Sequence, residues 1–232
     1  MGEEGAAASS PYALITEEGE NRESAIGYTG KATAKYSNGD VYEGYFDDGK
    51  KAGDGVYTHG NGDVYEGSYK EGKRHGVGRY TMGDAGGGYY HGSFAKGLYD
   101  GKGTMMYSAS GDVYSGEWKE GLRHGLGTYV YRKGQASVSG RWEDDRLVEG
   151  EWRLSPDHNS PVYEGKFDPK WVTAASTSIR VDSVRFGQPI GDGVWKLPCG
   201  QEIAGRYIQS HTPSDITDEV ITTIQWASSN AA

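Results

Sequence analysis

The chain has 232 residues, with 38 Gly, 18 Tyr, 6 Trp and 4 Phe against only 7 Pro, and apolar residues make up 35%. So few aliphatics argue against an ordinary close-packed enzyme domain, and the aromatic share of 12% argues against disorder. Collagen is excluded because there is no Gly-X-Y period, and a net charge of −9 opposes binding to nucleic-acid phosphates or anionic lipid.

Residues 1–27 are polar and acidic and are expected to be flexible. The start, Met1-Gly2-Glu3-Glu4-Gly5, has no apolar core, so no secretory signal is expected. No apolar run approaches the roughly 18 residues of a membrane span. Cys199 stands alone and cannot form an internal disulfide, which fits a reducing compartment.

Residues 28–207 read as a repeat array. Residues 30–41 form a leading half-unit ending in the turn Asn38-Gly39-Asp40. Full units open at Tyr42, Tyr65, Tyr90, Tyr114, Val138 and Tyr163, in steps of 23, 25, 24, 24 and 25. The fifth unit is degraded: Asp145, Glu149 beside Gly150, and Glu151 stand where glycines are expected. The array is expected to bend or to form an interface there, unless the change is plain drift. The sixth unit carries an insert, residues 170–186. Beyond it, Gly187 fills the slot of Gly49, and Gly191-Asp192-Gly193 fills that of Gly53-Asp54-Gly55. A last half-unit opens at Ile203. Residues 208–232 form a tail expected to dock on the array or on a partner. It admits two readings: a helix capped by Ser214-Asp215 with Ile216, Val220 and Ile224 on one face, or a strand from its β-branched residues.

One unit predicts a β-hairpin. Side chains alternate along a strand, so positions one, three and five of an opening share a face. Those positions are Tyr42, Gly44 and Phe46, or Tyr114, Gly116 and Trp118. Glycine holds position three throughout, as Gly44, Gly67, Gly92, Gly116, Gly140, Gly165 and Gly205. A ring is expected to lie over that bare backbone. On the return strand, Gly76, Gly78 and Tyr80 are expected on the ring face, with Tyr57, Tyr129 and Trp195 in the slot of Tyr80. Glu43, Glu66, Lys70 and Arg79 make the other face wet. A hairpin cannot bury its rings alone, so hairpins must stack. The predicted fold is all-β: an elongated, twisted, single-layer ribbon of consecutive antiparallel hairpins.

Nothing in the sequence frames catalysis. His75 and His124 recur at one slot, but Ala52, Asp100, Val148 and Ile190 hold it elsewhere. They read as packing residues at the hairpin end, not metal ligands. The stretch from Gly83 to Gly88 lacks the ending of a phosphate-binding loop and reads as a long turn. No nucleophile elbow is present. No catalytic residue, cofactor or metal is expected. The expected partner-binding surface is an aromatic groove near Tyr90, Phe94, Tyr114, Trp118 and Trp142. Trp171 and Phe186, at the ends of the insert, are expected to order on a partner.

The pattern Tyr-x-Gly-x-aromatic-x-x-Gly-x-x-His-Gly-x-Gly resembles the MORN repeat over residues 30–207. That resemblance implies an elongated β-hairpin ribbon acting as a structural or tethering module. A narrower resemblance is to the MORN subunits of the ciliary radial spoke head. They share the acidic lead, the half-unit turn Asn38-Gly39-Asp40, the degenerate Val138 unit and the opening Tyr163-Glu164-Gly165-Lys166-Phe167. The late stretch Gly191-Asp192-Gly193-Val194-Trp195 with Cys199 also fits. The resemblance implies a non-catalytic axonemal scaffold in a large complex. Its partners would be other spoke-head proteins and a second MORN subunit, at the axoneme of a cilium or flagellum. The alternative is a membrane- or basal-body-associated tether.

Overall fold

A computed structural model describes residues 13–83, 87–133, 135–157, 159–167, 189–213 and 220–229. Every regular element among them is a β-strand, and there are seventeen. The chain divides into two compact units, Met1–Ala109 with Trp118–Gly121, and Ser110–Glu117 with Leu122–Ala232.

The first unit begins with β1 (Ala13–Thr16), which pairs with β2 (Asn21–Arg22) on one side and β3 (Gly30–Lys35) on the other. The lead expected to be flexible therefore contributes a strand from Ala13 onward. The cause is alternation: Leu14 and Thr16 are buried while Ala13 and Ile15 are half-buried. Residues 1–12 lie outside the described residues. Hairpins follow as β4 (Val41–Asp47) with β5 (Lys50–Thr58), and β6 (Val64–Lys70) with β7 (Lys73–Thr81). The third is β8 (Tyr89–Ala95) with β9 (Leu98–Met106).

The second unit takes up most of β10 (Val113–Lys119), whose last two residues belong to the first unit, and then β11 (Leu122–Val130), β12 (Ser137–Glu143) and β13 (Arg146–Arg153). After them come β14 (Val162–Phe167), β15 (Pro189–Lys196), β16 (Glu202–Pro213) and β17 (Val220–Ser228). Tyr163 pairs with Trp195 and Gly165 with Gly193, as Tyr42 pairs with Tyr57 and Gly44 with Gly55. The sixth unit thus closes across its insert as the alignment predicts. The insert itself, 170–186, lies outside the described residues. The tail takes its strand reading: β17 pairs with β16, and Trp226 lies 4.9 Å from the Tyr207 ring. Ser214, Asp215 and Ile216 lie outside the described residues, as do the side chains of Val220 and Ile224.

The hairpins turn tightly. Between β6 and β7, Glu71 and Gly72 have φ of +53° and +82°, the pair of left-handed residues that a two-residue hairpin requires. Asp48, Lys96 and Glu120 repeat the first of these, and Asp144 with Asp145 does so without any glycine. Each turn also ties back to the preceding hairpin. The Gly72 N–H donates to Lys51 O, that of Gly97 to Arg74 O, and that of Asp145 to Arg123 O, at 2.9–3.0 Å.

Past its central glycine, each return strand bulges. Gly44 pairs with Gly55, but Tyr45 pairs with Ala52, so Gly53 and Asp54 stand unopposed. This changes one expectation. Gly76 does not share the ring face with Gly78 and Tyr80, because the bulge turns it and a side chain there would point at Ser68 on the other face. In the fifth unit the return-strand slots fall one residue earlier than the sequence spacing predicts. The unit is a residue shorter, so Gly150 pairs with Gly140 and only Val148 stands unopposed. Glycine is therefore kept at the strand crossing, and Trp152 takes the return-strand aromatic slot opposite Val138.

The links between hairpins carry a second lock. Asp40 accepts from Tyr57 Oη at 2.7 Å and from the Gly60 N–H at 2.8 Å. Asp63 repeats this with Tyr80 and Gly83, and Asp112 with Tyr129 and Arg132. Each aspartate thus joins its own link to the next return strand and the next link. Replacing Asp63 by Ala strands both donors and is expected to cost about 1–3 kcal/mol, read as a lower thermal midpoint. Asp63→Asn keeps an acceptor oxygen and should recover part of the loss.

Candidate interaction faces

The ring face is the core. In the first unit each opening tyrosine meets the position-five ring of its own repeat and that of the next, mostly edge to face. Tyr42 lies 5.1 Å from both Phe46 and Tyr69, and Tyr65 lies 5.2 Å from Tyr69 and 5.0 Å from Phe94. Tyr90 continues the row to Phe94 at 5.1 Å and Trp118 at 5.4 Å. In the second unit Tyr114 meets Trp142 at 5.3 Å, and Tyr163 meets Tyr207 at 5.1 Å. Such pairings suit ring quadrupoles.

Each opening ring also folds across its own strand. The hydroxyls of Tyr42, Tyr65, Tyr90 and Tyr114 donate to the carbonyl three residues on, at 2.9–3.1 Å. That is where the bulge interrupts the ladder. Burial pushes the Tyr65 hydroxyl up to about 12, against the opposing charge of Arg74.

These facts bear on the expected groove. Tyr90 and Tyr114 are 0% exposed, Trp142 0%, Phe94 2% and Trp118 5%. Within the first unit Tyr90, Phe94 and Trp118 pack on one another, and within the second Tyr114 packs on Trp142, so these rings are core and line no open groove. Trp118 Nε1 donates to Gly103 O and Trp142 Nε1 to Gly127 O, which occupies their polar atoms as well. Trp171 and Phe186 lie outside the described residues.

One recurrent slot escaped the sequence reading. The second residue after each turn glycine lies over the rings. Lys51 Nζ sits 4.3 Å from the Tyr57 ring centre, and also over Tyr42 and Tyr69. The Arg74 guanidinium sits over Tyr65, Tyr80 and Phe94. That of Arg123 sits over Tyr114, Tyr129 and, at 4.7 Å, Trp142. Each is a cation among three aromatic rings, supplied by the chain itself. Tyr99 fills the slot by stacking on Tyr90 at 3.9 Å, and Leu147 fills it with a fully buried aliphatic. In the sequence the slot is a Lys or Arg one residue before His75 or its equivalents, as Lys51, Arg74 and Arg123. His75 is exposed and His124 half-buried, both on return strands at the bulge and not at the hairpin turn.

Arg123 is 6% exposed and holds Asp145, whose carboxylate accepts from the Arg123 N–H and from its Nε at 2.9 Å each. The degraded fifth unit thus exchanges a turn glycine for the partner of a buried cation. Asp145→Ala removes both bonds and is expected to cost roughly 1.5–3 kcal/mol, measured as a lower urea midpoint.

Asp40 and Asp63 also set an acid limit. Burial acts to raise Asp40, but bonds from the Gly60 N–H, Tyr57 and Asn38 outweigh it and hold the carboxyl below its usual value. Asp63 behaves alike through Gly83, Tyr80 and Asn61. A carboxyl depressed by folding contributes stability that is complete above its unfolded value and is lost as pH falls below it. Melting temperature is therefore expected to drop as pH falls below about 4, and less so in Asp63→Asn.

The opposite face is mostly polar, although Val77 and Leu126 are exposed on it. Glu43, Glu66, Lys70 and Arg79 are exposed in the first unit. In the second, Arg206 pairs with Asp192 at 2.7 Å, Lys196 with Glu164, and Arg141 with Glu143 and Glu149. Exposed pairs of this kind add little stability. They leave a surface of mixed charge.

The MORN repeat family model matches residues 42–64, 65–85, 90–111 and 114–136, so the chain contains four MORN repeats. The matches start at Tyr42, Tyr65, Tyr90 and Tyr114, the openings read from the sequence. MORN repeats form a generally non-enzymatic scaffold that serves protein interaction or membrane association. No curated protein matches the chain.

Proposed function

We propose that the chain is a non-catalytic scaffold of the motile-cilium axoneme, a radial spoke head component that joins head subunits through protein contacts. One observation carries the mechanical half of this reading. Consecutive hairpins are tied by rings, by cations over rings, by turn amides and by link aspartates. A repeat tied to its neighbour by several of these contacts resists local opening and suits the holding of other proteins at fixed spacing. The axonemal address draws its support from the order of features: the Asn38-Gly39-Asp40 half-unit, four repeats, a short fifth unit and the Tyr163-Glu164-Gly165-Lys166-Phe167 opening. Other spoke-head proteins, a second MORN subunit among them, are the partners of this reading. The net charge of −9 speaks against a membrane tether.

Tagging the protein in a ciliated cell tests the reading. Signal is expected along the length of the axoneme. Signal confined to the basal region overturns it in favour of a basal-body scaffold. Salt-sensitive co-sedimentation with anionic vesicles overturns it in favour of a membrane tether.

A further inference from the structure

Among the described residues, β17 is the outermost strand of the second unit, and it carries no charge within its own length. β17, Val220–Ser228, reads Val-Ile-Thr-Thr-Ile-Gln-Trp-Ala-Ser and contains no charge, proline or glycine. Among the described residues it is paired with β16 alone. Natural edge strands are usually kept short, charged or interrupted by proline, because their open backbone groups recruit other strands. The outer strand of the first unit follows that rule: β2 has two residues, Asn21–Arg22, with exposed Glu20 and Glu23 on either side. β17 has nine, and its nearest acids, Asp218 and Glu219, stand before the strand and not within it.

The register says which backbone groups are open. The Ser229 N–H donates to Ala204 O, and the pairing with β16 runs without a shift from Gly205↔Ser228 to Pro213↔Val220. Antiparallel pairs alternate between bonded and unbonded. Ile221, Thr223, Gln225 and Ala227 therefore turn their N–H and C=O toward β16. Val220, Thr222, Ile224 and Trp226 turn theirs away.

We propose that this edge pairs with β17 of a second copy, antiparallel across a twofold axis at Ile224. In that register Ile224 opposes Ile224, and Thr222 of one copy opposes Trp226 of the other. All of these residues have outward backbone groups. The strand is uncharged, so no like charges meet there, whereas the rest of a chain of net charge −9 repels its copy. The pairing is self-complementary and uses up the edge of both copies, so assembly stops at two.

Sedimentation of the full chain over a hundredfold concentration range tests this. A reversible shift from one to two chain masses is expected. Thr222→Pro removes an outward N–H, which an edge strand tolerates, and should weaken the dimer by tenfold or more with melting temperature little changed. Thr223→Pro removes an inward N–H and should instead lower the melting temperature. If Thr222→Pro does not fold, Thr222→Lys poses the same question with a charge on the edge. A single chain mass throughout, growth beyond two copies, or a dimer indifferent to the folded Thr222 variant overturns the proposal.

Discussion

Trp142→Ala is expected to lower unfolding stability by about 3–5 kcal/mol, read by urea denaturation, among the largest losses from any single side chain in the second unit. Trp142 is fully buried, packs against Tyr114 at 5.3 Å and gives its indole N–H to Gly127 O at 3.0 Å. Arg123 lies over it at 4.7 Å. Truncation therefore removes a large buried ring, opens a cavity, leaves a carbonyl short of a donor and takes the best-placed ring from a buried guanidinium. Trp142→Phe keeps the edge-to-face contact and should recover more than half of the loss. Trp152→Ala, at a half-buried site across from Val138, should cost distinctly less.

This expectation changes how partner binding has to be tested. Removing Trp118 and Trp142 together would abolish partner binding by unfolding the protein, whatever surface the partner uses. Substitutions on the charged face are the informative ones. Reversing Arg141 or Glu149, both more than half exposed, alters the surface and leaves the ring row intact.

The openings were legible because the tyrosine, the glycine and the ring each answer to a local constraint that the strand period repeats. The insert could be bridged for the same reason: Gly191-Asp192-Gly193 carries its own turn and crossing chemistry. What stayed hidden depends on partners distant in sequence. Arg74 and Arg123 read as ordinary surface cations until the hairpins are stacked and three rings surround each. Asp40 and Asp63 read as turn residues, since nothing local says that a tyrosine 17 positions on will donate to them. The missing residue between Gly140 and Gly150 was absorbed by a smaller bulge, and an alignment anchored on residue types placed Glu149 and Glu151 in glycine slots. In the tail, helix and strand signals balanced locally, and the open side of β16 decided between them.

Two glycines five residues apart are expected to lose stability with alanine to different extents and for different reasons, and the comparison tests why the repeat keeps them. At Gly67 a methyl group would lie 2.6 Å from Gly78 Cα, 2.6 Å from Tyr65 Oη and 2.8 Å from Val77 O. Two of those three neighbours are backbone, and the third is a tyrosine held by its bond to Ser68 O at 2.9 Å. Relief requires the strands to part or Tyr65 to leave the row between Tyr69 and Phe94. Gly67→Ala should therefore cost on the order of 3 kcal/mol or more, the scale of a severe packing defect. Tyr65→Phe should not rescue it, because the crossing with Gly78 stays closed. At Gly72 nothing lies within 4 Å, and the demand is only φ of +82°. Gly72→Ala should cost about 1–2 kcal/mol of backbone strain, and Gly72→Asn less, since asparagine enters that region more readily. The fifth unit already stands as a natural version of the milder change, with Asp145 at φ +68° in the turn slot, while glycine at the crossing is kept as Gly140 opposite Gly150. Unfolding curves showing Gly67→Ala no worse than Gly72→Ala would mean that the repeat keeps glycine at position three for its conformation. A wide gap between the two means that it is kept because a ring and a neighbouring backbone occupy the space.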